Sequence, residues 1–189
     1  MTGAAERETF GIFYGWWRGD PLPTLAMPDG VVASRLGNEQ QAPVVETLDP
    51  AEAAILRQQG HRLYVALIGS EIVAYGWAAT TTASIGELGV EMRIASNERY
   101  LWGFVTLPNW RGQGIYPALI QAMLRQEADA DRFWIGHDVG NDASASGILK
   151  AGFVPVGEAY RNGDGSLRYA RSGDDERSRA AQALLEMPE

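Results

Sequence analysis

Apolar positions along the chain fall mostly into short runs bounded by glycine, proline and small polar residues, which is the pattern of strands. Val31 to Leu36 is one such run. Arg62 to Ile68 and Glu71 to Thr82 are rich in β-branched and aromatic residues, and Gly69-Ser70 between them is a hairpin signal. Gly86 to Ile94 alternates as a further strand, and the polar turn Ser96 to Arg99 leads into Tyr100 to Leu107. Pro108 cannot donate to a ladder, so that strand ends there. Arg132 to Val139 is again strand-like. Phe153 to Arg161 and Ser166 to Ser172 flank Asn162-Gly163-Asp164-Gly165, a second hairpin signal.

Helical spacing marks other stretches. Asp49-Pro50 supplies an N-cap and a first-turn proline to an alanine-rich run that stops at Gly60. Ile115, Leu119 and Met123 recur every four residues beside Ala118 and Ala122, and Pro117 is tolerated only in a first turn, so this helix starts near Gly114. Gly140-Asn141-Asp142 is a turn and helix start with Asn141 as N-cap, and Ala143 to Ala151 is a short helix with Gly152 as its stop. Phe10, Phe13, Tyr14 and Trp17 also stand at helical spacing before Pro21, Pro23 and Pro28. They predict a short helix whose aromatic face packs on the domain, with a lid or wall over a substrate site and a dimer contact as its other roles. Asp174 to Met187 is a charged stretch with Leu184 and Leu185, an amphipathic tail helix. The order β, α, β, β, β, β, α, β, α, β, β predicts one mixed α/β domain over residues 31–172 with a partly antiparallel central sheet. An aromatic, proline-rich extension (1–30) precedes it and a charged tail (173–189) follows.

Composition narrows the function. The chain has 189 residues and a net charge of −8, which argues against nucleic acid as a partner. The acidity suits a cationic acceptor such as an amine, and equally suits solubility alone. There is no cysteine, which excludes disulfides, thiolate metal sites and cysteine catalysis; no metal site is expected. No apolar run is long enough for a membrane span, and the N-terminus has no basic-then-apolar leader. A cytoplasmic protein is the expectation.

The chemistry concentrates in Arg111-Gly112-Gln113-Gly114 and the helix that follows. A helix N-terminus has free N–H groups and partial positive charge, glycines let a phosphate approach the backbone, and an arginine adds charge. The plain alternative is a tight strand-to-helix connection that needs glycine for positive φ. No Lys-Ser/Thr follows, so it is not a Walker A loop. The dinucleotide fingerprint fails too, because Pro117 stands where its third glycine belongs.

The stretch VTLPNWRGQGIYPALI resembles the acyl-CoA-binding motif of the GNAT acetyltransferase superfamily: a strand ending before Pro108, then Arg111, Gly112, Gln113 and Gly114, then a helix. Tyr116 departs from the small residue usual at its place, and Pro117 removes an N–H. NDASASGILKAGF resembles the second signature of that family through Asn141, Ser144, Gly152 and Phe153. The resemblance implies an α/β (α+β) fold: a single GNAT-like domain with a central mixed, mostly antiparallel sheet and helices on both faces. It implies acetyl-CoA as co-substrate, its pantetheine arm between two splayed strands beside Phe104, Val105 and Thr106. Arg111 to Tyr116, including Ile115, would hold the pyrophosphate, and Asn141 and Ser144 would flank the arm. The implied activity is N-acetyl transfer to a primary amine of a small molecule or peptide, by direct attack. A non-catalytic acyl-CoA-binding module is the alternative.

The tyrosine acid that many members place seven residues after the asparagine is Ile148 here. Glu91, Glu87 and Tyr100 are the candidate catalytic residues, with Trp102, His137 and Asp138 nearby in the strands. Each also reads as an ordinary strand or strand-end residue. His61 reads as a surface residue. A homodimer is one expectation for the N-terminal aromatics and the tail.

Overall fold

The computed structural model describes residues 7–37, 45–86 and 89–188. Ten strands and four helices occur among them: β1 (Glu8–Trp17), β2 (Val31–Arg35), α1 (Pro50–Gln58), β3 (His61–Ile68), β4 (Glu71–Ala79), β5 (Thr82–Ile85), β6 (Val90–Arg93), β7 (Glu98–Thr106), α2 (Ile115–Gln126), β8 (Arg132–Asp138), α3 (Asp142–Lys150), β9 (Val154–Arg161), β10 (Leu167–Arg171) and α4 (Glu176–Leu185). Eight strands form one sheet in the order β10-β9-β1-β8-β7-β4-β3-β2. Every neighbouring pair is antiparallel except β7 and β8. The expected mixed, mostly antiparallel sheet is therefore present.

Helices cover both faces. Ile115, Leu119 and Met123 of α2 and Ile148 of α3 pack with Tyr64, Ala66, Leu101 and Phe133 on one face. Residues alternating with these point the other way: Leu63 and Val65 meet Ala53 of α1, while Tyr100 and Trp134 join Ala181 and Leu185 of α4. The tail helix is thus docked on the sheet, its N-cap Asp175 accepting from the Ser178 N–H.

Two expectations are corrected. Phe10 to Trp17 is not a helix but part of strand β1, which lies between β8 and β9. Tyr14 and Trp16 are buried on the α2 side and Phe13 on the α4 side. A strand buried on both faces loses its polar alternation, so the aromatic spacing of this run imitates a helix. Gly86 to Ile94 is not a strand of the main sheet either. Its strand is β6, Val90–Arg93, which pairs only with β5 in a separate two-stranded ribbon.

Strands β7 and β8 run parallel, yet they pair only from Glu98–Arg132 to Leu101–Ile135. Beyond that point β7 continues along β4 to Thr106 and β8 continues along β1 to Asp138. A bulge on β7 accompanies the parting, since Gly76 of β4 faces both Gly103 and Phe104. Gly103 has φ +62°, which favours glycine, and a Cβ on Gly76 would lie 2.4 Å from the Phe104 ring.

The other end of β7 is locked. Glu127, the C-cap of α2, is fully buried and accepts from Arg99 Nε at 2.6 Å, from the Tyr64 hydroxyl at 2.5 Å and from Arg62. Arg99, itself 1% exposed, also reaches Asp129 at 2.5 Å and the carbonyls of Ser96 and Glu98.

Candidate active site

The parting of β7 and β8 opens a cleft of about 690 Å³ under the N-termini of α2 and α3. Phe104 to Thr106 form its β7 wall and the Arg111–Tyr116 turn its head, while Asn141 and Ser144 face them from the α3 side. A single 3₁₀ turn, Pro108–Trp110, leads into the loop. Gly112 and Gly114 have φ +75° and +78°, and nothing lies within 4 Å of a Cβ built on either, so the backbone is bare on that side. Gly114 is the N-cap of α2. The first intrahelical bond is Ala118 N–H to the Gly114 carbonyl, which leaves the Ile115 and Tyr116 N–H groups without a helical acceptor. Arg111 is tethered by Nε to the Thr106 carbonyl at 3.0 Å. All the residues expected to hold the cofactor except Gln113 line this one cleft; Gln113 instead donates its amide to the Asn109 carbonyl at 3.2 Å.

Asn141 caps α3, its Oδ1 accepting from the Ser144 N–H at 3.1 Å. The Ser144 hydroxyl meets the Tyr116 hydroxyl at 3.1 Å. Tyr116 leans on Gly147, where a Cβ would come within 2.3 Å of its ring, and its other side meets Phe104 edge-on at 5.1 Å. Burial pushes the Tyr116 phenol up to about 12, the Ser144 hydrogen bond pulling it down and nearby Tyr14 adding to the rise. It holds its proton at neutral pH. Ile148 is fully buried in the core against α2.

A second cavity of about 410 Å³ lies against β1, β5, β7 and β8. Gly136, His137 and Asp138 line both cavities, so this end of β8 is a wall common to the two. His137 Nδ1 is 2.8 Å from the Asp138 carbonyl, which can only accept, so Nδ1 carries the proton. In the neutral ring Nε2 then accepts from the Tyr14 hydroxyl at 3.0 Å. Nothing local sets Tyr14 apart from the other N-terminal aromatics, because its partner is 123 residues away. The only local sign was the aromatic cluster of β1.

The candidate catalytic residues divide. Tyr100 is 7% exposed and lines the second cavity. Burial, and then the charge of Asp138, raise its phenol above the usual range, so it stays protonated and suits a donor rather than the base expected. Glu91 is exposed on the β5–β6 ribbon and lines neither cavity. Glu87 lies outside the described residues. Among the described residues no acidic or histidine cluster could hold a metal, and no helix is long and apolar enough to cross a membrane.

His61, read as a surface residue, is 8% exposed, and Trp102 Nε1 donates to its Nδ1 at 3.2 Å. Trp102 lines the cleft and stacks on Trp77 at 6.0 Å. Burial lowers the His61 pKa, so the folded state resists a proton that the unfolded chain accepts below about pH 6.5. This contribution to stability is present above the unfolded pKa and is lost as pH falls toward the lower folded value. The melting temperature should fall between pH 7 and 5, and fall less in His61→Gln. Equal slopes in the two proteins would remove His61 as the cause.

The sequence model of the acetyltransferase (GNAT) family matches residues 30–153. No curated protein matches the chain in sequence. Solved structures share the fold. An acetyltransferase from the GNAT family of Colwellia psychrerythraea is 18% identical with a TM-score of 0.55, over 80% of this chain and 55% of that one. A GCN5-related N-acetyltransferase from Sphaerobacter thermophilus is 14% identical with a TM-score of 0.54, over 93% of this chain and 56% of that one. A tandem GNAT protein from the clavulanic acid biosynthesis pathway is 14% identical with a TM-score of 0.51, over 92% and 56%. The chain thus spans little more than half the length of these structures. With the glycine turn, the parted strands and Asn141 all standing inside or beside the span that the family model covers, the chain belongs to the acetyltransferase (GNAT) family.

Proposed function

We propose that the chain is an N-acetyltransferase that carries the acetyl group of acetyl-CoA to a primary amine of a small molecule or peptide. The observation that carries this reading is the end of β7–β8 pairing at Leu101–Ile135, directly under the glycine turn. The residues present fit the co-substrate. Beyond Leu101 the side of β7 that faced β8 has no strand partner, so its backbone at Phe104, Val105 and Thr106 can pair there with an amide-bearing arm, and the free N–H groups and Arg111 at the head of α2 suit a pyrophosphate. Gly112 and Gly114 leave room for close approach. Asn141 and Ser144 complete the opposite wall.

When bound, acetyl-CoA supplies an activated acetyl thioester. The chain supplies position and proton management. Backbone N–H groups of the β7 wall near Val105 and Thr106 are placed to stabilise developing negative charge on oxygen. Tyr116 holds its phenolic proton inside the cleft, where the buried Ile148 has none to give. Asp138 lines both cavities, and its carboxylate would hold an incoming ammonium and pass its proton to water.

Thioester turnover over a panel of primary amines, read as released thiol, tests the reading. Amine-dependent release is expected. A chain that binds acetyl-CoA yet releases no thiol with any amine of the panel would be a non-catalytic acyl-CoA-binding module, the reading that the apolar Ile148 favours.

A further inference from the structure

We infer that the 410 Å³ cavity is the acceptor site and selects a compact apolar primary amine carrying a single positive charge, an arylalkyl or branched alkyl amine. The inference rests on the transferase reading and goes on to the class of acceptor. Its walls are Phe10 and Phe13 of β1, Ile85 of β5, Tyr100 of β7 and Val139 beyond β8. Its volume is at the small end for ligand sites, and such walls reward apolar surface. Among the described residues lining it, Asp138 is the only one with a carboxylate. Asp138 is the last residue of β8 and pairs with Gly11 of β1, which lines the cavity beside it. His137 offers little to a ligand, since both ring nitrogens are engaged by Tyr14 and the Asp138 carbonyl.

One carboxylate can pair one ammonium. Among the described residues, Phe13, Ile85 and Val139 give a second cationic group no carboxylate to pair with. The Arg161 guanidinium, 5.2 Å from the Phe10 ring centroid, adds positive charge beside that wall and disfavours it further. A peptide brings amide groups for which these side chains have few partners. The cavity shares the wall Gly136 to Asp138 with the cofactor cleft, so an ammonium held by Asp138 would lie beside the parted strands. Strand β1 supplies much of the wall, so the N-terminal aromatics contribute to substrate choice as well as to packing.

The test compares 2-phenylethylamine and isoamylamine with spermidine and a lysine-containing peptide, using the whole chain and acetyl-CoA. The apolar amines should exceed the others in kcat/KM by about tenfold or more. Ile85→Lys places an ammonium in the wall. It should raise the KM for 2-phenylethylamine by about tenfold and leave the KM for acetyl-CoA unmoved. Preference for spermidine or the peptide would overturn the inference while leaving the transferase reading intact. If no amine is turned over, calorimetry of 2-phenylethylamine decides. Binding that Ile85→Lys weakens supports the cavity's selectivity and removes the transferase reading; no binding by the parent overturns the inference.

Discussion

Acetyl-CoA at a hundred times its Kd is expected to stabilise the folded chain by about 2.7 kcal/mol, a rise in melting temperature of roughly 5–10 °C for a protein of this size. Gly114→Trp should abolish that rise. Gly114 is the N-cap of α2 with φ +78°, and the space beside its missing Cβ is open. An indole there fills the space a phosphate needs and blocks approach to the Ile115 and Tyr116 N–H groups. The left-handed backbone costs a non-glycine residue about 1–2 kcal/mol, so the variant melts lower but still folds. Gly165→Trp is the matched control. Gly165 has φ +82° in the β9–β10 turn, again with nothing within 4 Å of a Cβ, so it carries the same strain away from the cleft. It should keep the full shift. Equal shifts in parent and Gly114→Trp would move the pyrophosphate off this turn. No shift in the parent at saturating ligand would mean a family fold without its cofactor.

Arg99→Ala is expected to cost about 3–5 kcal/mol of folding stability, the range for breaking a buried ion pair from one side. Arg99 and Glu127 are 1% and 0% exposed, and the arginine uses every nitrogen: Nε on Glu127, the others on Asp129, Ser96 and Glu98. Truncation leaves Glu127 buried with Arg62 and the Tyr64 hydroxyl, and leaves the Ser96 and Glu98 carbonyls without this donor. The network ties the start of β7 to the end of α2, so it fixes both the strand that parts from β8 and the helix whose other end heads the cleft. Arg179→Ala removes an exposed pair with Asp174 and should change stability by no more than about 1 kcal/mol. Denaturant midpoints at constant slope read both values. A loss below about 1 kcal/mol for Arg99→Ala would show that Arg62 alone satisfies Glu127.

Much of the local structure was legible in the chain itself. Pro108, the glycines at 112 and 114 and the tolerated Pro117 placed the turn and the start of α2, and each glycine has the positive φ its role requires. Asn141 capped α3 as its position suggested, and Gly69 and Asn162 to Gly165 turned the two hairpins. These features depend on residues a few positions apart, and local sterics decide them. Strand β1 was misread for the opposite reason: a central strand covered on both faces carries no alternation, and its place depends on β8 and β9 more than a hundred residues away. The same holds for the site.

The sequence alone determined the glycine turn, its helix, the Asn141 cap and the absence of a tyrosine at 148, because backbone conformation and residue identity are local properties. Only the tertiary structure decided that β7 and β8 part after Leu101, that Tyr14 reaches His137, that Glu91 stands outside both cavities, and that Phe10 and Phe13 wall the second one. Strand register and the joining of distant side chains are set by which faces must be buried together. That is a property of the assembled sheet and of no single segment.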